Sequence, residues 1–279
     1  MNDDASIFDT IAGVDLGGTK LLIRYRDRWL RRDTGMGFGA AELSDVLQRF
    51  LDEQGQAPAA IGIAVPGLVA DGTTVAACDV LPGLVGWRPN LALGGIACVL
   101  VNDAKAALRA STMGLPQGGV AVTVMAGSAI GCGIVVDGLP LRGASGWAGE
   151  LGYWPLPGTA AERLDQLAGG SFLAARLGCD GRTLAARAAA GDPAACTIVA
   201  DGGRALGNAL AGLVNLLNPH RLSVGGGALR LDGYWRAAEQ ALEAGALPPL
   251  RAACELRLVH DIEDLVALGA AQMAATVTF

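Results

Sequence analysis

The sequence contains the same strand and glycine pattern twice, and this repetition restricts the possible folds more than any other feature. The apolar run 11–16 enters a turn of glycines that leads into a second strand. The apolar runs 120–125 and 130–136 flank another such turn. Alternating helical and strand patterns follow each pair, as where a helical pattern at 42–53 precedes a buried strand. This order predicts a duplicated α/β core with a cleft between its halves.

Composition and charge exclude several classes of protein. A chain of 279 residues with 52% hydrophobic and 17% charged residues is long and apolar enough to fold into two domains. The net charge of -6 opposes binding to a nucleic-acid backbone, which needs clustered Lys and Arg. No nucleic-acid partner is therefore expected.

Two segments bear on membranes and targeting. The stretch 110–136 has no charged residue, but Pro116 and its glycines favour buried strands and turns over a membrane helix. Residues 1–10 carry three aspartates and no apolar run, unlike a signal or transit peptide. We therefore expect no membrane contact and a cytoplasmic location.

The two turns are candidate phosphate sites. In the first glycine turn, residues 17–20, glycines let backbone N–H groups approach phosphate oxygens, while Thr19 and Lys20 add donors. It is not a Walker A loop, because Thr19 stands where that motif has its Lys. The second glycine turn, residues 127–131, could hold the same polyphosphate from another side. The alternatives are a plain hairpin turn and a sheet that needs small residues for close packing.

Asn102 and Asp103 follow a buried strand at 97–101, where a helix rich in Ala begins. Ligand-binding residues collect at such strand ends in open α/β sheets. Phosphoryl transfer needs a group that accepts the proton of the attacking hydroxyl, and a carboxylate suits that task. An ordinary helix N-cap is the alternative.

The remaining polar signals are weaker. Glu150 follows a glycine-rich loop and could accept hydrogen bonds from sugar hydroxyls. His220 and His260 have no second ligand at metal spacing, so we assign them no catalytic role. The six cysteines never fall two to four residues apart, so neither a zinc site nor a redox pair is predicted, and most should be buried.

Taken in order, these segments resemble the ROK family of bacterial repressors, open reading frames and sugar kinases. The likeness spans nearly the whole chain. The matching pieces are Asp15-Leu-Gly-Gly-Thr-Lys20, Ile63-Ala-Val-Pro-Gly67, Asn102-Asp103-Ala104, Gly127 to Gly133, Gly149-Glu150-Leu-Gly152, Gly191-Asp192-Pro193, Asn218-Pro219 and Gly225-Gly-Gly227.

The resemblance implies an α/β, actin-like (ribonuclease H-like) fold of two lobes, with duplicated mixed sheets and a central cleft. The N-terminal lobe, 1–109, would bind the sugar, and a C-terminal helix at 265–279 would pack back on it. The C-terminal lobe, 110–264, would bind the nucleotide and form a homodimer.

The implied reaction is glucokinase-like transfer of the γ-phosphate of ATP, with Mg²⁺ carried by the ATP, to a hexose hydroxyl, usually that on carbon 6. Asp103 would be the base. The implied sugar-binding residues are Gly67, Asn102, Asp103, Glu150, Tyr153 and Asp165. The implied nucleotide-binding residues are Asp15, near the metal or its waters, with Gly17, Gly18, Thr19, Lys20, Gly127, Ser128, Ala129, Gly131, Gly225, Gly226 and Gly227.

The sequence departs from the family pattern in the sugar pocket and in one phosphate turn. Tyr153 stands where the family often has His, Asp165 stands for a sugar-binding Glu, and Ala129 replaces a Gly. An Asn expected around 79–87 is missing, and 155–163 holds no cysteine, so no structural zinc is expected. These changes leave an amino sugar or a cyclitol as alternative acceptors, and polyphosphate as an alternative donor.

Two other classes are weighed against a kinase. A non-catalytic sugar or nucleotide sensor would fit the altered pocket, but the retained Asp103 argues against it. A family repressor would carry a DNA-binding domain before Asp15, and a chaperone-like ATPase would carry a peptide-binding β domain after the second lobe. The sequence therefore favours a sugar kinase with a small-molecule substrate.

Overall fold

The computed structural model describes residues 6–112, 115–116, 118–155, 163–259 and 262–278. The chain divides into two compact units. The first unit comprises Met1–Met113 and Asp261–Phe279, and the second unit comprises Gly114–His260. His260 and the segment 156–162 lie outside the described residues. The sugar-binding and nucleotide-binding roles assigned to the predicted lobes stay predictions.

The first unit is built on a mixed sheet. Its strands are β1 (Ile11–Leu16), β2 (Lys20–Tyr25), β3 (Arg28–Asp33), β4 (Ala60–Val65), β5 (Leu68–Ala70), β6 (Thr74–Ala77) and β7 (Ala97–Asn102). The five-stranded sheet has the order β3-β2-β1-β4-β7, and β5 pairs with β6 separately. Short turns make the β1, β2 and β3 pairs antiparallel, whereas crossovers make β1, β4 and β7 parallel.

The first unit also carries helices, and the first of them follows the predicted apolar spacing. They are α1 (Ala40–Asp52), α2 (Pro89–Ala92) and α3 (Asp103–Ser111). On α1 one face is buried, and it consists of Leu43, Val46, Leu47, Phe50 and Leu51. This spacing places apolar side chains on one stripe of a helix, so α1 covers the sheet and encloses the first core.

The second unit repeats the sheet of the first. Its strands are β8 (Ala121–Ala126), β9 (Ile130–Val136), β10 (Leu139–Pro140), β11 (Arg221–Gly225) and β12 (Glu255–Val259). Their order is β10-β9-β8-β11-β12, with antiparallel pairs on one side of β8 and parallel pairs on the other. The position of β8 in this sheet is that of β1 in the first. The predicted duplication of the core is therefore confirmed.

The second unit also carries a group of helices. They are α4 (Leu164–Ala168), α5 (Gly170–Arg176), α6 (Gly181–Ala189), α7 (Pro193–Leu217), α8 (Tyr234–Gly245) and α9 (Pro248–Ala253). The long helix α7 begins where the Asp192 side chain accepts hydrogen bonds from Ala194 N and Ala195 N, at 2.9 and 3.3 Å. It ends at Asn218, which has a left-handed backbone conformation. Both ends of α7 are therefore fixed by local backbone chemistry.

The chain returns to the first unit through its last helix, α10 (Ile262–Thr278). Its buried residues are mostly small, so its backbone comes close to the sheet of that unit. Over the described ranges of the chain, the helices are too short or too polar to span a membrane. Four of the six cysteines are buried, as predicted for most of them: Cys78, Cys98, Cys132 and Cys254.

Candidate active site

The first glycine turn connects β1 to β2 and is fixed by three hydrogen bonds. Gly17 N donates to the Lys20 carbonyl oxygen at 2.7 Å and closes the turn. Thr34 donates its Oγ1 hydroxyl to the Gly17 carbonyl at 2.8 Å and its backbone N–H to the Thr19 carbonyl at 2.9 Å. Within the described residues, the N–H groups of Gly18 and Thr19 donate to no protein acceptor. Such successive N–H groups form a suitable site for an anion.

Asn102 caps helix α3 at the carboxyl end of β7. Its Oδ1 accepts hydrogen bonds from Ala104 N and Lys105 N, at 3.0 and 3.3 Å. Its Nδ2 donates to the Gly67 carbonyl at 3.2 Å, which ties the end of β7 to the residue after β4. The capping alternative raised by the sequence therefore applies to Asn102. Its role as a sugar ligand stays a prediction.

Asp103 is the first residue of α3, and it is half-buried. Its Oδ1 accepts a hydrogen bond from Ala104 N at 2.8 Å, which fixes the carboxylate at the start of the helix. A negative charge is favourable at this end of a helix, because the unpaired N–H groups there carry partial positive charge. The geometry suits a carboxylate that accepts a proton from a bound hydroxyl.

Gly67 has no room for a side chain. A Cβ on this residue would lie 2.4 Å from the Ala77 carbonyl oxygen and 3.0 Å from the Cβ of Cys78. The residue therefore lets the chain after β4 pass close to β6. This close packing explains why the sequence has glycine at a position predicted to contact sugar.

Asp15 is a buried carboxylate of the first unit, and its pKa is perturbed. Its side chain is 8% exposed on β1, one strand away from β4. Burial raises its pKa well above the ordinary value, and the negative charges of Asp103, Glu263 and Asp264 raise the pKa further. The charge of Asp103 therefore acts on the Asp15 carboxylate, and their joint role in one site stays a prediction.

Glu263 and Asp264 were missed from the sequence as neighbours of this site. They lie in the first turn of α10 and pair with cations near the first glycine turn. Lys20 Nζ lies 3.1 Å from Glu263 Oε1, and Arg24 Nη1 lies 3.5 Å from Asp264 Oδ1. The available signal was the acidic pair at the start of a C-terminal helix. That pattern alone does not predict an ion pair with a residue in a strand more than 200 positions earlier in the sequence.

The acidic residues of the first unit fit a magnesium ion delivered with a nucleotide. Mg²⁺ prefers oxygen ligands, keeps several waters and needs only one or two protein carboxylates beside phosphate oxygens. Asp15 offers a carboxylate of this kind. Over the residues described, no group of three or more His, Cys, Asp and Glu side chains is arranged to hold a metal on its own. The prediction that no structural zinc binds at 155–163 stays a prediction, because most of that segment lies outside the described residues.

The second glycine turn lies between β8 and β9 and is held by the first residues of α5. Gly170 N donates to the Gly127 carbonyl at 2.8 Å, and Ser171 N donates to the Ser128 carbonyl at 3.1 Å. Gly127 N donates to the carbonyl of Ala129 at 3.1 Å. As in the first turn, the next two N–H groups, of Ser128 and Ala129, meet no acceptor within the described chain. Gly131 lies within β9, opposite Met125.

The glycines at 225–227 lie beside this turn. Gly225 ends β11, which is parallel to β8. A Cβ on Gly226 would lie 2.4 Å from the Ala126 carbonyl oxygen, and its φ of 114° is one that favours glycine. Gly227 has open space around its Cα. The structure therefore brings two predicted nucleotide segments together at the ends of two neighbouring strands.

Glu150 precedes a short 3₁₀ turn at Leu151–Tyr153, and Tyr153 is the last residue of that turn. Glu150 is exposed, and the preceding Gly149 is required, since a Cβ there would lie 2.2 Å from the Cys132 carbonyl oxygen. Burial, with a further contribution from the Glu150 charge, raises the pKa of Cys132 to about 12. Tyr153 is half-exposed, and the Arg163 guanidinium lies 4.1 Å from the centre of its ring.

Asp165, the last of the predicted sugar ligands, is turned toward the second glycine turn. Its Oδ1 accepts a hydrogen bond from Ile130 N at 2.6 Å, and the side chain is 8% exposed. The predicted residues are thus grouped within each unit. Asp15, Gly67, Asn102 and Asp103 belong to the first, whereas the residues from Gly127 to Gly227 belong to the second. Their roles remain predictions.

Comparisons with known proteins agree with this arrangement. A model of the ROK family matches residues 11–277. The chain is 32% identical to the bifunctional enzyme NanE/NanK of Brucella suis, over 95% of this chain and 53% of the relative, so it spans about half the length of that protein. It is 30% identical to the N-acetylmannosamine kinase of Citrobacter koseri, over 94% of this chain and 97% of the relative.

A solved structure gives the same result for the fold. The ROK hexokinase from Thermus thermophilus has a TM-score of 0.73 to this chain at 29% identity, covering 96% of this chain and 98% of the hexokinase. The predicted actin-like fold with two lobes is confirmed. The names of these relatives support the prediction of a sugar kinase.

Proposed function

The chain belongs to the ROK family, and we propose that it is a kinase that transfers a phosphoryl group from ATP to a hydroxyl of N-acetylmannosamine. Support for an amino sugar comes from the Citrobacter koseri relative, which matches nearly end to end and is named for that substrate. The glucokinase-like activity that the sequence favoured first therefore takes second place to its amino-sugar alternative.

The observation that carries a kinase assignment is the pairing of Asn102 with Asp103 at the end of β7. Asn102 and Asp103 share the Ala104 N–H, and Asn102 also accepts from Lys105 N, so Asn102 is the main cap of the helix. The Asp103 carboxylate is held by Ala104 N next to the acidic Asp15. A fixed carboxylate at the carboxyl end of a parallel strand is placed where ligands of α/β sheets bind.

In the proposed reaction Asp103 accepts the proton of the sugar hydroxyl as the hydroxyl oxygen attacks the γ-phosphorus. The bond from the phosphorus to the bridging oxygen then breaks and ADP leaves. The N–H groups of both glycine turns bind phosphate oxygens, and Lys20 adds a positive charge. When bound, Mg²⁺ would neutralise charge on the phosphates, and Asp15 would hold it or its waters. Glu150 would accept hydrogen bonds from the sugar.

An unmodified hexose is the second candidate substrate. The Thermus thermophilus structure, at 29% identity, is named a hexokinase, so the fold alone does not separate the two acceptors. A pocket built to pair particular polar groups of a sugar rejects analogues that lack them by large factors. The relative kcat/KM values of different acceptors therefore show which sugar the pocket is built to bind.

The test is a panel of acceptors with the purified chain, ATP and Mg²⁺, in which ADP release is measured and the product is identified by ³¹P NMR. The panel holds N-acetylmannosamine, N-acetylglucosamine, mannosamine, glucose, mannose, fructose and a cyclitol. We expect kcat/KM for N-acetylmannosamine to exceed that for glucose at least about tenfold, with the phosphate on carbon 6. A higher kcat/KM for glucose would identify a hexose kinase.

The same panel tests the non-catalytic alternative. If neither ATP nor polyphosphate supports transfer, while calorimetry detects binding of one of these sugars, the chain is a sugar sensor and the proposed activity is wrong. The homodimer and the cytoplasmic location stay predictions. Sedimentation of the purified chain measures the first directly.

A further inference from the structure

The carboxylate of Asp165 lies between two backbone segments of the second unit. On one side its Oδ1 accepts the hydrogen bond from Ile130 N at 2.6 Å, inside the second glycine turn. On the other side it packs against Gly152, where a Cβ would lie 2.4 Å from Oδ1 and 2.5 Å from Oδ2. The residue that follows Glu150 and Leu151 must therefore be glycine for the carboxylate to fit. Asp165 thus connects the predicted sugar-binding loop to the predicted phosphate turn.

The residues after Asp165 hold the same turn. Gly169 N donates to the Asp165 carbonyl at 2.8 Å, which ends α4 and directs the chain toward the turn. Gly170 N and Ser171 N then donate to the carbonyls of Gly127 and Ser128. Together with the side chain of Asp165, the segment 165–171 makes three hydrogen bonds to residues 127–130. These bonds fix the backbone whose N–H groups would meet the phosphates.

The side-chain bond is the shortest of the three, at 2.6 Å against 2.8 and 3.1 Å. A hydrogen bond from a backbone N–H to an ionised carboxylate is charge-assisted and about twice as strong as one between neutral groups. At 8% exposure, little water competes for the carboxylate. Because the Asp165 carboxylate accepts the hydrogen bond from Ile130 N, it orients the turn. The carboxylate of a sugar ligand would instead direct its oxygens at the substrate.

We propose that Asp165 is a positioning residue that sets the backbone of the second glycine turn for phosphate binding. The proposal rests on the proposed function in one respect only, which is that the bound anion is the phosphate group of a nucleotide. It replaces the role of sugar ligand that the resemblance implied for Asp165.

The experiment compares Asp165→Asn and Asp165→Ala with wild type. The nucleotide Kd is measured by calorimetry with Mg²⁺ and ADP, and KM is measured for ATP and for the best acceptor. Asn keeps an oxygen that can accept from Ile130 N, so the Kd should stay within about threefold of wild type. Ala removes the acceptor, and the Kd and the KM for ATP should rise about tenfold. The acceptor KM should change less than about threefold in both variants.

Asp180→Ala is the matched control. Asp180 Oδ1 also accepts a backbone hydrogen bond, from Thr183 N at 2.7 Å, but it caps α6. Its loss should lower the Tm and leave the nucleotide Kd unchanged. If Asp165→Ala behaves in the same way, the role of Asp165 is only structural and the proposal is overturned.

Three further outcomes also test the proposed role of Asp165. A rise in acceptor KM in both Asp165 variants, with an unchanged nucleotide Kd, would identify a sugar ligand and overturn the proposal. If wild type binds ADP but phosphorylates no sugar, the proposed function fails, while the nucleotide Kd of the variants still supports or contradicts the role of Asp165. If wild type binds neither ADP nor polyphosphate, the turn is not a phosphate site and the inference is wrong.

Discussion

Gly269 packs its backbone directly against Ala106, and a Cβ on Gly269 would lie 1.8 Å from the Ala106 carbonyl oxygen. The same helix, α10, meets the sheet at two other glycines. A Cβ on Gly62 would lie 1.9 Å from the Ala270 carbonyl oxygen, and one on Gly13 would lie 2.3 Å from that of Ala267. Because Ala106 belongs to the helix that begins with Asp103, the C-terminal helix supports the proposed base.

Gly269→Ala should destabilise the first unit. The added methyl group would overlap a backbone carbonyl, so α10 must move away from α3, at a cost of about 2–3 kcal/mol. For a chain of this size we expect the Tm to fall by roughly 4–12 °C. Thermal unfolding followed by circular dichroism measures the change, and kcat should fall with it, because α3 carries Asp103.

Gly212→Ala is the matched control for this prediction. Gly212 also lies inside a helix, α7, but nothing lies within 4 Å of the Cβ that Ala would add. Ala is the better helix former, so this variant should gain up to about 1 kcal/mol. Equal Tm values for the two variants would show that α10 does not pack on α3 as described.

Asp15→Asn should stabilise the protein while abolishing activity. Burial and three neighbouring carboxylates raise the pKa of Asp15, so the folded state binds its proton more tightly than the unfolded state. The corresponding stability is present below the ordinary pKa of 3.8 and is lost as the pH rises through the raised value. Asn carries no charge and avoids this loss. The Tm of the variant should exceed that of wild type by roughly 2–4 °C at pH 8.

The difference in Tm between Asp15→Asn and wild type should depend on pH. It should be small near pH 4 and grow toward pH 8, because only wild type loses stability over that interval. Asp45→Asn, at a carboxylate whose side chain is 69% exposed, is the control and should change the Tm little. A variant less stable than wild type at pH 8 would contradict the assigned pKa direction.

Cysteine alkylation should follow burial. Burial raises the pKa of Cys98 and of Cys132 to about 12, so almost no thiolate is present at pH 8. Cys179 and Cys196 are only half-buried. Mass spectrometry after brief treatment of the native protein with iodoacetamide should find label first on these two. Modification of Cys132 at the same rate would contradict its packing, and all six should react in urea.

Sequence signals within a few residues predicted most of the elements. Asn102 and Asp103 marked the start of α3, and the glycines at 17–18 marked the turn between two apolar strands, because caps and turns depend on local backbone chemistry. The repeated pattern gave the duplicated sheet. These features need no knowledge of distant contacts.

Contacts between distant segments could not be predicted in the same way. A glycine in a sequence can serve a turn or a close contact between backbones, and the sequence does not distinguish the two. The packing of α10 at Gly13, Gly62 and Gly269 could therefore not be predicted. Asp165 and Ile130 lie 35 residues apart, and only the fold brings the carboxylate to that amide. The resemblance therefore assigned Asp165 a role that the structure leads us to replace.

The most direct test of the proposed activity is the turnover number of Asp103→Asn with ATP, Mg²⁺ and the best acceptor of the panel. Asn keeps the size and an oxygen for Ala104 N but cannot take up the hydroxyl proton. We predict that kcat falls between about 100-fold and 10,000-fold, with the Tm and the Kd for ADP near those of wild type. A kcat within a few-fold of wild type would contradict Asp103 as the base of a sugar kinase.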